Sequence, residues 1–412
     1  MNNVNLTING QQVTVPAGST ILEAAKKLNI KIPTLCYWDK LGCGISNQPA
    51  SCRICVVEVE RRRNLAPACA TPVMEGMVVH TNSQRALNAR RTILELMLSD
   101  HPQKCLTCAK NQDCELRMLA AEFGIQEVAF SGAKNRFDVD DSSEAIMRDL
   151  SKCVMCRRCE TVCNKVQTVS ALTGNGRGFS AKVGTASMIP LAETNCTFCG
   201  QCVNVCPVGA ITGISYVKKV WAAINDPSKT VIVQTAPAVR VAVGQEFGFE
   251  AGAPVTGKLV AGLRALGFDK VFDTNFSADL TIMEEGTELI GRVTKGGKLP
   301  MITSCSPGWI NFVELNYPDL LENLSTAKSP QSMFGAMLKT YYAKKQGIDP
   351  SKIVSVSIMP CTAKKFEAFR RELSASGYPD TDIVLTTTEL AQMIKEANID
   401  FLGLPDEQFD PI

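Results

Sequence analysis

Apolar and polar positions alternate along residues 3–8 and 11–15, on either side of Asn9-Gly10. An Asn-Gly pair between two alternating runs predicts a β-hairpin, because both central residues of its tight turn must take positive φ. Thr20 and Glu23 stand at capping-box spacing and predict a helix running to about Leu28. Residues 82–123 read as helical, with Ile93, Leu94, Leu96 and Met97 supplying an apolar face. From about 140 to 215 regular patterning fades, and short loops and helices are expected. After Asp226-Pro227-Ser228 the character changes. The segments Thr230–Thr235, Lys270–Phe272, Leu299–Thr303, Ile353–Ile358 and Asp382–Leu385 read as short buried strands separated by helical stretches. That alternation predicts an α/β region with a mostly parallel sheet.

Composition changes the picture through one number: 18 cysteines against 2 histidines in 412 residues. Disulfide frameworks belong to short secreted chains. This chain is long and opens Met1-Asn2-Asn3-Val4-Asn5-Leu6, without the basic and apolar regions of a signal peptide. No uninterrupted apolar stretch is long enough for a membrane span. The formal net charge of +2 gives no reason to expect nucleic acid or an anionic membrane as partner. A cytoplasmic protein with reduced, metal-binding thiols is the expectation.

The cysteines fall into groups. Cys36, Cys52, Cys55 and Cys69 have a long loop, a CxxC pair and a fourth thiol beyond a strand, resembling a plant-type [2Fe–2S] site. A zinc site is the alternative, disfavoured by the hairpin framework. The wider first loop is similar to the N-terminal domain shared by iron-only hydrogenases and the large iron–sulfur subunit of respiratory complex I. Cys43, inside that loop, reads as a spare thiol. His101, Cys105, Cys108 and Cys114 follow the pattern HxxxCxxCxxxxxC. In the same two families that pattern marks a [4Fe–4S] cluster held by one histidine and three cysteines. Cys153, Cys156, Cys159 and Cys163 make one CxxCxxCxxxC run, and Cys196, Cys199, Cys202 and Cys206 another. Paired runs are the two-cluster ferredoxin pattern, in which each fourth cysteine ligates the other run's cluster. One cluster would use Cys153, Cys156, Cys159 and Cys206, the other Cys196, Cys199, Cys202 and Cys163. Gly174-Asn175-Gly176-Arg177-Gly178, between the runs, reads as a loop and not as a dinucleotide fingerprint.

Two more cysteines follow predicted strands: Cys305 in Thr303-Ser304-Cys305-Ser306-Pro307-Gly308-Trp309, and Cys361 in Met359-Pro360-Cys361-Thr362-Ala363-Lys364-Lys365-Phe366-Glu367. Ligands of open α/β sheets gather beyond the carboxyl ends of strands. Buried thiols packed as small hydrophobes are the plainer alternative, but flanking prolines and polar residues favour a site. These segments, with Ala236-Pro237, Ser329-Pro330-Gln331 and Thr281-Ile282-Met283-Glu284-Glu285, resemble the iron-only hydrogenases, and the likeness spans essentially the whole chain.

The resemblance implies an α+β multidomain protein. Its expected parts are a β-grasp [2Fe–2S] domain over 1–80, a small helical domain over 81–138 with the histidine-plus-three-cysteine cluster, a two-[4Fe–4S] ferredoxin domain over 139–215, and part of an α/β hydrogenase domain over 216–412. It also implies an H-cluster, a [4Fe–4S] unit joined to a di-iron unit. Cys361 would ligate its [4Fe–4S] part. Lys364, Pro237 and Gln331 would hold the cyanides, with Met359 beside them. Cys305 would be the last proton donor, and Ser325, Glu285, Glu288 and Arg292 would continue the proton path. From spacing alone the last three are an ordinary charged helix face. Ser306 stands where the family usually carries another cysteine ligand, and Ala238 where it often carries serine. The third family signature, resembling ExMACxxGC with two more ligands, would lie beyond Ile412. The implied activity is reversible hydrogen oxidation and proton reduction. The layout resembles the hydrogen-handling subunit of multimeric NAD(P)-linked, electron-bifurcating hydrogenases. Their partners are a flavin- and NAD(P)-binding iron–sulfur subunit, a small thioredoxin-like [2Fe–2S] subunit, and ferredoxin as a further carrier. A non-catalytic electron-conducting subunit and a hydrogen or redox sensor are the competing readings.

Overall fold

The computed structural model describes residues 3–39, 47 and 50–412, so the expectation for Cys43 lies outside the described residues. The chain divides into two compact units. One comprises residues 1–142, 147–195 and 201–212; the other comprises 143–146, 196–200 and 213–412.

In the first unit, β1 (Asn3–Ile8) and β2 (Gln11–Pro16) form the antiparallel hairpin, with Asn9 at φ 49° and Gly10 at φ 82°. Those are the left-handed conformations that the Asn-Gly turn requires. Helix α1 (Ile21–Lys27) carries the capping box in full: the Glu23 N–H donates to Thr20 Oγ1 at 3.2 Å, and the Thr20 N–H donates to Glu23 at 2.6 Å. Such a cap is worth about 1 kcal/mol. Strands β3 (Val56–Val59), β4 (Ala66–Pro67) and β5 (Met77–His80) complete a mixed sheet ordered β2-β1-β5-β3-β4, with β1 parallel to β5. Leu6, Ile8, Val13 and Val15 of the hairpin pack with Ile21, Leu22 and Ala25 of α1.

The stretch expected to be helical over 82–123 is two helices, α2 (Gln84–Asp100) and α3 (Glu115–Glu122), parted by the loop that bears His101 and the three cysteines. Of the expected apolar face only Leu94 is fully buried, while Leu96 is exposed. Arg90 is buried on this helix too, its Nε donating to the Val56 carbonyl at 2.9 Å. Short elements follow: β6 (Ile146–Arg148), α4 (Arg158–Thr161), β7 (Thr173–Asn175), β8 (Lys182–Gly184), α5 (Gln201–Val205) and β9 (Ile211–Gly213). Because β7 and β8 pair antiparallel, the glycine-rich segment at 174–178 starts in a strand and turns a hairpin.

The second unit runs through α6 (Val217–Ile224), β10 (Thr230–Thr235), α7 (Val239–Ala242), α8 (Thr256–Ala265), β11 (Lys270–Asp273), α9 (Asn275–Lys295), α10 (Pro307–Asn316), α11 (Pro330–Met337), α12 (Ala343–Gln346), β12 (Ile353–Met359), α13 (Ala363–Ala368), β13 (Ile383–Thr386) and α14 (Thr387–Glu396). The four strands are parallel, in the order β11-β10-β12-β13. Val231 and Val233 enter one core with Leu259, Val356 and Ile394, whereas Ile232 enters another with Phe272 and Phe334. This period of two puts a covered face on each side, as a parallel sheet demands. The expected strand at Leu299–Thr303 is absent. Pro300 has no N–H to give a ladder, and only Ile302 makes a bridge, to Leu324. Ahead of Asp226-Pro227-Ser228, Val217 and Val220 of α6 already belong to the α/β core.

Candidate metal centres

Cys36, Cys52, Cys55 and Cys69 are all buried, with Cys36 and Cys55 each 1% exposed. The left-handed turns at Ala50 and Arg53 aim backbone amides inward. The Ala50 N–H donates to Cys69 Sγ at 3.2 Å, the Cys52 N–H to Cys36 Sγ at 3.5 Å and the Ile54 N–H to Cys52 Sγ at 3.5 Å. The thiols also bond one another: hydrogen bonds from Cys52 and Cys69 hold Cys36 far below the usual thiol range, while those two are pushed up. Four buried sulfurs sharing protons, with amides solvating them, fit the cradle of a [2Fe–2S] cluster.

His101 caps the end of α2, and burial, with the charge of Lys152 next, lowers its imidazole to about 4. It is therefore neutral near pH 7, the form that ligates metal. Cys114 opens α3, where burial pushes its thiol up and the nearby Arg117 and Leu116 amides oppose that. A Cβ at Gly209 would fall 2.6 Å from Cys108 Sγ, so any side chain there would displace that thiol. Cys105 is exposed and Cys108 half-buried.

Cys153, Cys156, Cys159 and Cys206 line one small cavity, with Leu150, Val183 and Ile211. Burial pushes the Cys156, Cys159 and Cys206 thiols up. Amides of Arg158 at Cys156, and of Val208, Ile211 and Ala210 at Cys206, oppose that. Four thiols converging on one largely apolar space fit a cluster whose iron supplies the compensating charge. Of the remaining expected quartet, Cys163 and Cys202 belong to the first unit and Cys196 and Cys199 to the second. Among the described residues, no three His, Cys, Asp or Glu side chains are set to hold a single metal ion.

In the second unit the segment 196–200 packs against the start of α13. Thr362 Oγ1 donates to the Phe198 carbonyl at 2.7 Å, Asn311 Nδ2 donates to the Cys196 carbonyl at 2.8 Å, and the Phe198 and Phe366 rings lie 4.8 Å apart. Gly200, at φ 74°, approaches so closely that a Cβ would sit 2.4 Å from Thr362 Oγ1. Cys361 lies at the end of β12, where burial raises its thiol, the Ala363 and Lys364 amides oppose that, and Cys199 is near enough to repel its charged form. These contacts tie the segment bearing Cys199, of the second cysteine run, to the turn bearing Cys361.

Lys364 Nζ donates to the Cys305 carbonyl at 2.9 Å and pairs with Glu367 at 2.6 Å. Glu367 is anchored in turn by Ser329 and Ser332. Gln331, 1% exposed, donates to the Lys364 carbonyl at 3.2 Å, and its Oε1 is buried without a partner. Cys361, Lys364, Gln331 and the buried Met359 thus cluster around one corner and fit part of an H-cluster site. Pro237 is exposed and, having no N–H, offers a cyanide no donor of its own. Ser306 is exposed at the N-cap of α10 and makes no capping bond there. Cys305 is exposed, with Thr303 Oγ1 4.0 Å from its sulfur.

Of the expected proton path, Ser325 and Glu288 join: Ser325 Oγ donates to Glu288 at 3.0 Å. Glu288 also accepts from the Thr326 N–H at 3.0 Å and from Arg292. Burial works against its charge, but the Thr326 N–H, Arg292 and two hydroxyls outweigh it and hold the carboxyl below the usual range. Glu285 Oε1 is buried with no partner. Arg292 pairs with Glu288, as their spacing predicts, and reaches further. It donates to the carbonyls of Lys298, Glu322, Asn323 and Leu324, and so acts as a strut for two loops. Sequence reasoning did not reach Asn47, Arg158, Gly200, Gly209 or Glu367. Only the positions of Gly200 and Arg158 inside the cysteine runs could have pointed to them.

Residues 229–412 match the profile of the C-terminal domain of the iron-only hydrogenase large subunit. Residues 1–84 match a 2Fe–2S cluster binding domain, 90–129 the iron–sulfur binding region of NADH-ubiquinone oxidoreductase-G, and 189–212 a 4Fe–4S binding domain. The HndD subunit of the NADP-reducing hydrogenase of Solidesulfovibrio fructosivorans is 58% identical over 100% of this chain and 71% of its own length. Iron hydrogenase 1 of Clostridium pasteurianum is 41% identical over 98% of this chain and 70% of its own. A solved apo [FeFe]-hydrogenase from Chlamydomonas reinhardtii is 47% identical over 48% of this chain, with a TM-score of 0.46, and this chain spans about half, 52%, of it. With the HndD subunit and iron hydrogenase 1 matching it along essentially its full length, the chain belongs to the iron-only hydrogenase large-subunit family, as a mixed α/β multidomain member with iron–sulfur binding domains and a hydrogenase domain.

Proposed function

We propose that this chain is the hydrogen-converting subunit of a multimeric NAD(P)-linked hydrogenase, running H₂ ⇌ 2H⁺ + 2e⁻ and conducting the electrons through one [2Fe–2S] and three [4Fe–4S] clusters. The Thr362 bond to the Phe198 carbonyl supports this reading, since it joins the second cysteine run to the Cys361 turn, where a conducting row would meet the hydrogen-converting group. When bound, the H-cluster supplies the metal chemistry. Cys361 would anchor it, with the Ala363 and Lys364 amides beside the thiolate. The Lys364 ammonium, oriented by Glu367 and the Cys305 carbonyl, would donate to it, as would the second hydrogen of the Gln331 amide. Cys305 Sγ, exposed beside the Lys364 ammonium's anchor, would carry the proton. Ser325 and Glu288 extend the route, and the unpartnered oxygen of Glu285 is an acceptor waiting for a donor.

No dinucleotide fingerprint is present, so nicotinamide belongs to a partner: a flavin- and NAD(P)-binding iron–sulfur subunit, with a thioredoxin-like [2Fe–2S] subunit and ferredoxin as further carriers for electron bifurcation. Among the described residues no helix is long and apolar enough to cross a membrane. The NADP-reducing relative supports a cytoplasmic site, whereas another, 43% identical over 274 residues, bears the name of a periplasmic hydrogenase large subunit. The competing reading as a conducting subunit draws on a subunit of the NADH-quinone oxidoreductase of Rhizobium meliloti, 40% identical over 52% of this chain and 24% of its own length. Infrared spectra of anaerobically matured protein decide between them: carbon monoxide and cyanide bands support hydrogen conversion, and their absence leaves a wire or a sensor.

A further inference from the structure

Chain segments from three cluster sites meet at one buried side chain. Arg158, between Cys156 and Cys159, is 5% exposed. Its Nη1 and Nη2 donate to the two carboxylate oxygens of Glu115 at 2.6 and 2.8 Å, and Nη2 also donates to the Tyr37 carbonyl at 3.3 Å. Tyr37 directly follows Cys36, and Glu115 directly follows Cys114. The Glu115 N–H donates to the carbonyl of Pro207, the residue after Cys206, at 2.9 Å. Asn47, 1% exposed, adds a second tie: its Nδ2 donates to the Cys36 carbonyl and, at 3.5 Å, to the Cys156 carbonyl.

A guanidinium keeps its charge at any working pH. The Glu115 side chain is 35% exposed against 6% for Arg158, so solvent screens the carboxylate more than the cation. The pair is therefore not electrically silent towards the sulfurs, and the Cys156 and Cys36 thiols both interact with the Arg158 charge. A fixed positive charge favours the reduced, more negative state of a nearby cluster, one of the levers that set such potentials.

We propose that Arg158 sets the reduction potentials of the Cys36–Cys52–Cys55–Cys69 and Cys153–Cys156–Cys159–Cys206 sites together, its charge raising both and keeping the two stations matched for electrons passing between them. The proposal rests on the reading that these cysteines hold iron–sulfur clusters. Arg158 acts through the clusters' surroundings and ligates no metal itself. A plain strut would look the same in its hydrogen bonds, but it would not respond to the sign of the charge removed.

The test is a redox titration of the full, iron-loaded chain followed by electron paramagnetic resonance, with Arg158→Gln and Glu115→Gln compared. Both substitutions break the same two-pronged pair and leave opposite charges behind. Arg158→Gln lowers both midpoint potentials and Glu115→Gln raises them, each by at least a tenfold change in the reduced-to-oxidised ratio at fixed solution potential, about 59 mV for a one-electron couple. Arg158→Lys, with the charge kept, stays closer to the parent than that. Shifts of the same sign in the two variants, or none in either, overturn the proposal. Where Arg158→Gln binds less iron, Glu115→Gln decides alone: a rise supports the proposal and an unchanged potential overturns it. A parent chain that takes up no iron overturns the cluster reading itself, and the proposal with it.

Discussion

Replacing Gly200 by alanine strikes the contact that seats the Cys196–Gly200 segment beside Cys361. The added Cβ would meet Thr362 at three atoms, 2.4 Å from Oγ1, 3.1 Å from Cγ2 and 3.3 Å from Cβ, while φ stays at 74°. Left-handed backbone costs an alanine about 1–2 kcal/mol, and overpacking against a stiff β-branched side chain about 1–3 kcal/mol more. Thr362 cannot swing clear without giving up its 2.7 Å bond to the Phe198 carbonyl, worth about 1 kcal/mol. A local loss of about 2–5 kcal/mol follows. Native-state amide hydrogen exchange reads it segment by segment, which suits a chain of two units whose global unfolding is not one transition. Amides of 198–200 and 362–364 in Gly200→Ala are expected to open about thirtyfold or more faster. Thr362→Ala alone loses only the hydrogen bond. Because it also removes the two nearest clashing atoms, the double variant must be milder than the sum of the singles by more than about 1 kcal/mol. Exchange at the parent rate in Gly200→Ala, or strict additivity with Thr362→Ala, would refute the close-approach argument.

His101→Cys keeps the iron content and shifts one midpoint potential downward, since a charged thiolate replaces a neutral imidazole; an unchanged redox titration would remove His101 from the ligand set. Lys365 is 1% exposed and pairs with Glu389 at 2.7 Å. Lys365→Met strands that carboxylate and costs about 3–5 kcal/mol of stability in the α/β unit, and Lys365→Met with Glu389→Gln recovers part of it. A single-variant loss below about 1 kcal/mol by denaturant titration would contradict this. Glu288 has a depressed folded-state pKa, so its stabilisation is complete above its ordinary value of 4.5 and disappears as pH falls through the lower folded value. Glu288→Gln should therefore flatten the acid limb of the melting-temperature profile, and superimposable limbs would show that Glu288 is not the group responsible.

What the sequence made legible was local. The Asn9-Gly10 turn, the Thr20–Glu23 box and the thiol spacings each sit within a few residues, and their physics acts over that range. The period-two runs of β10 and β12 were readable for the same reason. Leu299–Thr303 has the composition of a strand, but whether a strand forms depends on finding a partner, and only Ile302 finds one. The apolar face expected on α2 failed because neighbours decide burial: Arg90 goes inside, where the Val56 carbonyl receives it, and Leu96 stays outside. Arg158 meets partners 43 and 121 positions away, and Asn47 reaches Cys156 across 109. No spacing rule spans such distances. Glu285, Glu288 and Arg292 show both sides, for their helical spacing foretold the Glu288–Arg292 pair, but not the bonds these two make to the 298 and 322–326 loops nor the unpartnered Glu285 oxygen.

The central claim is that hydrogen-derived electrons enter a row of clusters held by this chain. Its most direct test exposes anaerobically matured, oxidised protein to hydrogen gas and records low-temperature electron paramagnetic resonance. The account predicts signals of reduced [2Fe–2S] and [4Fe–4S] clusters without added reductant, in protein carrying about fourteen irons outside the H-cluster. Clusters that dithionite reduces but hydrogen leaves silent would contradict it.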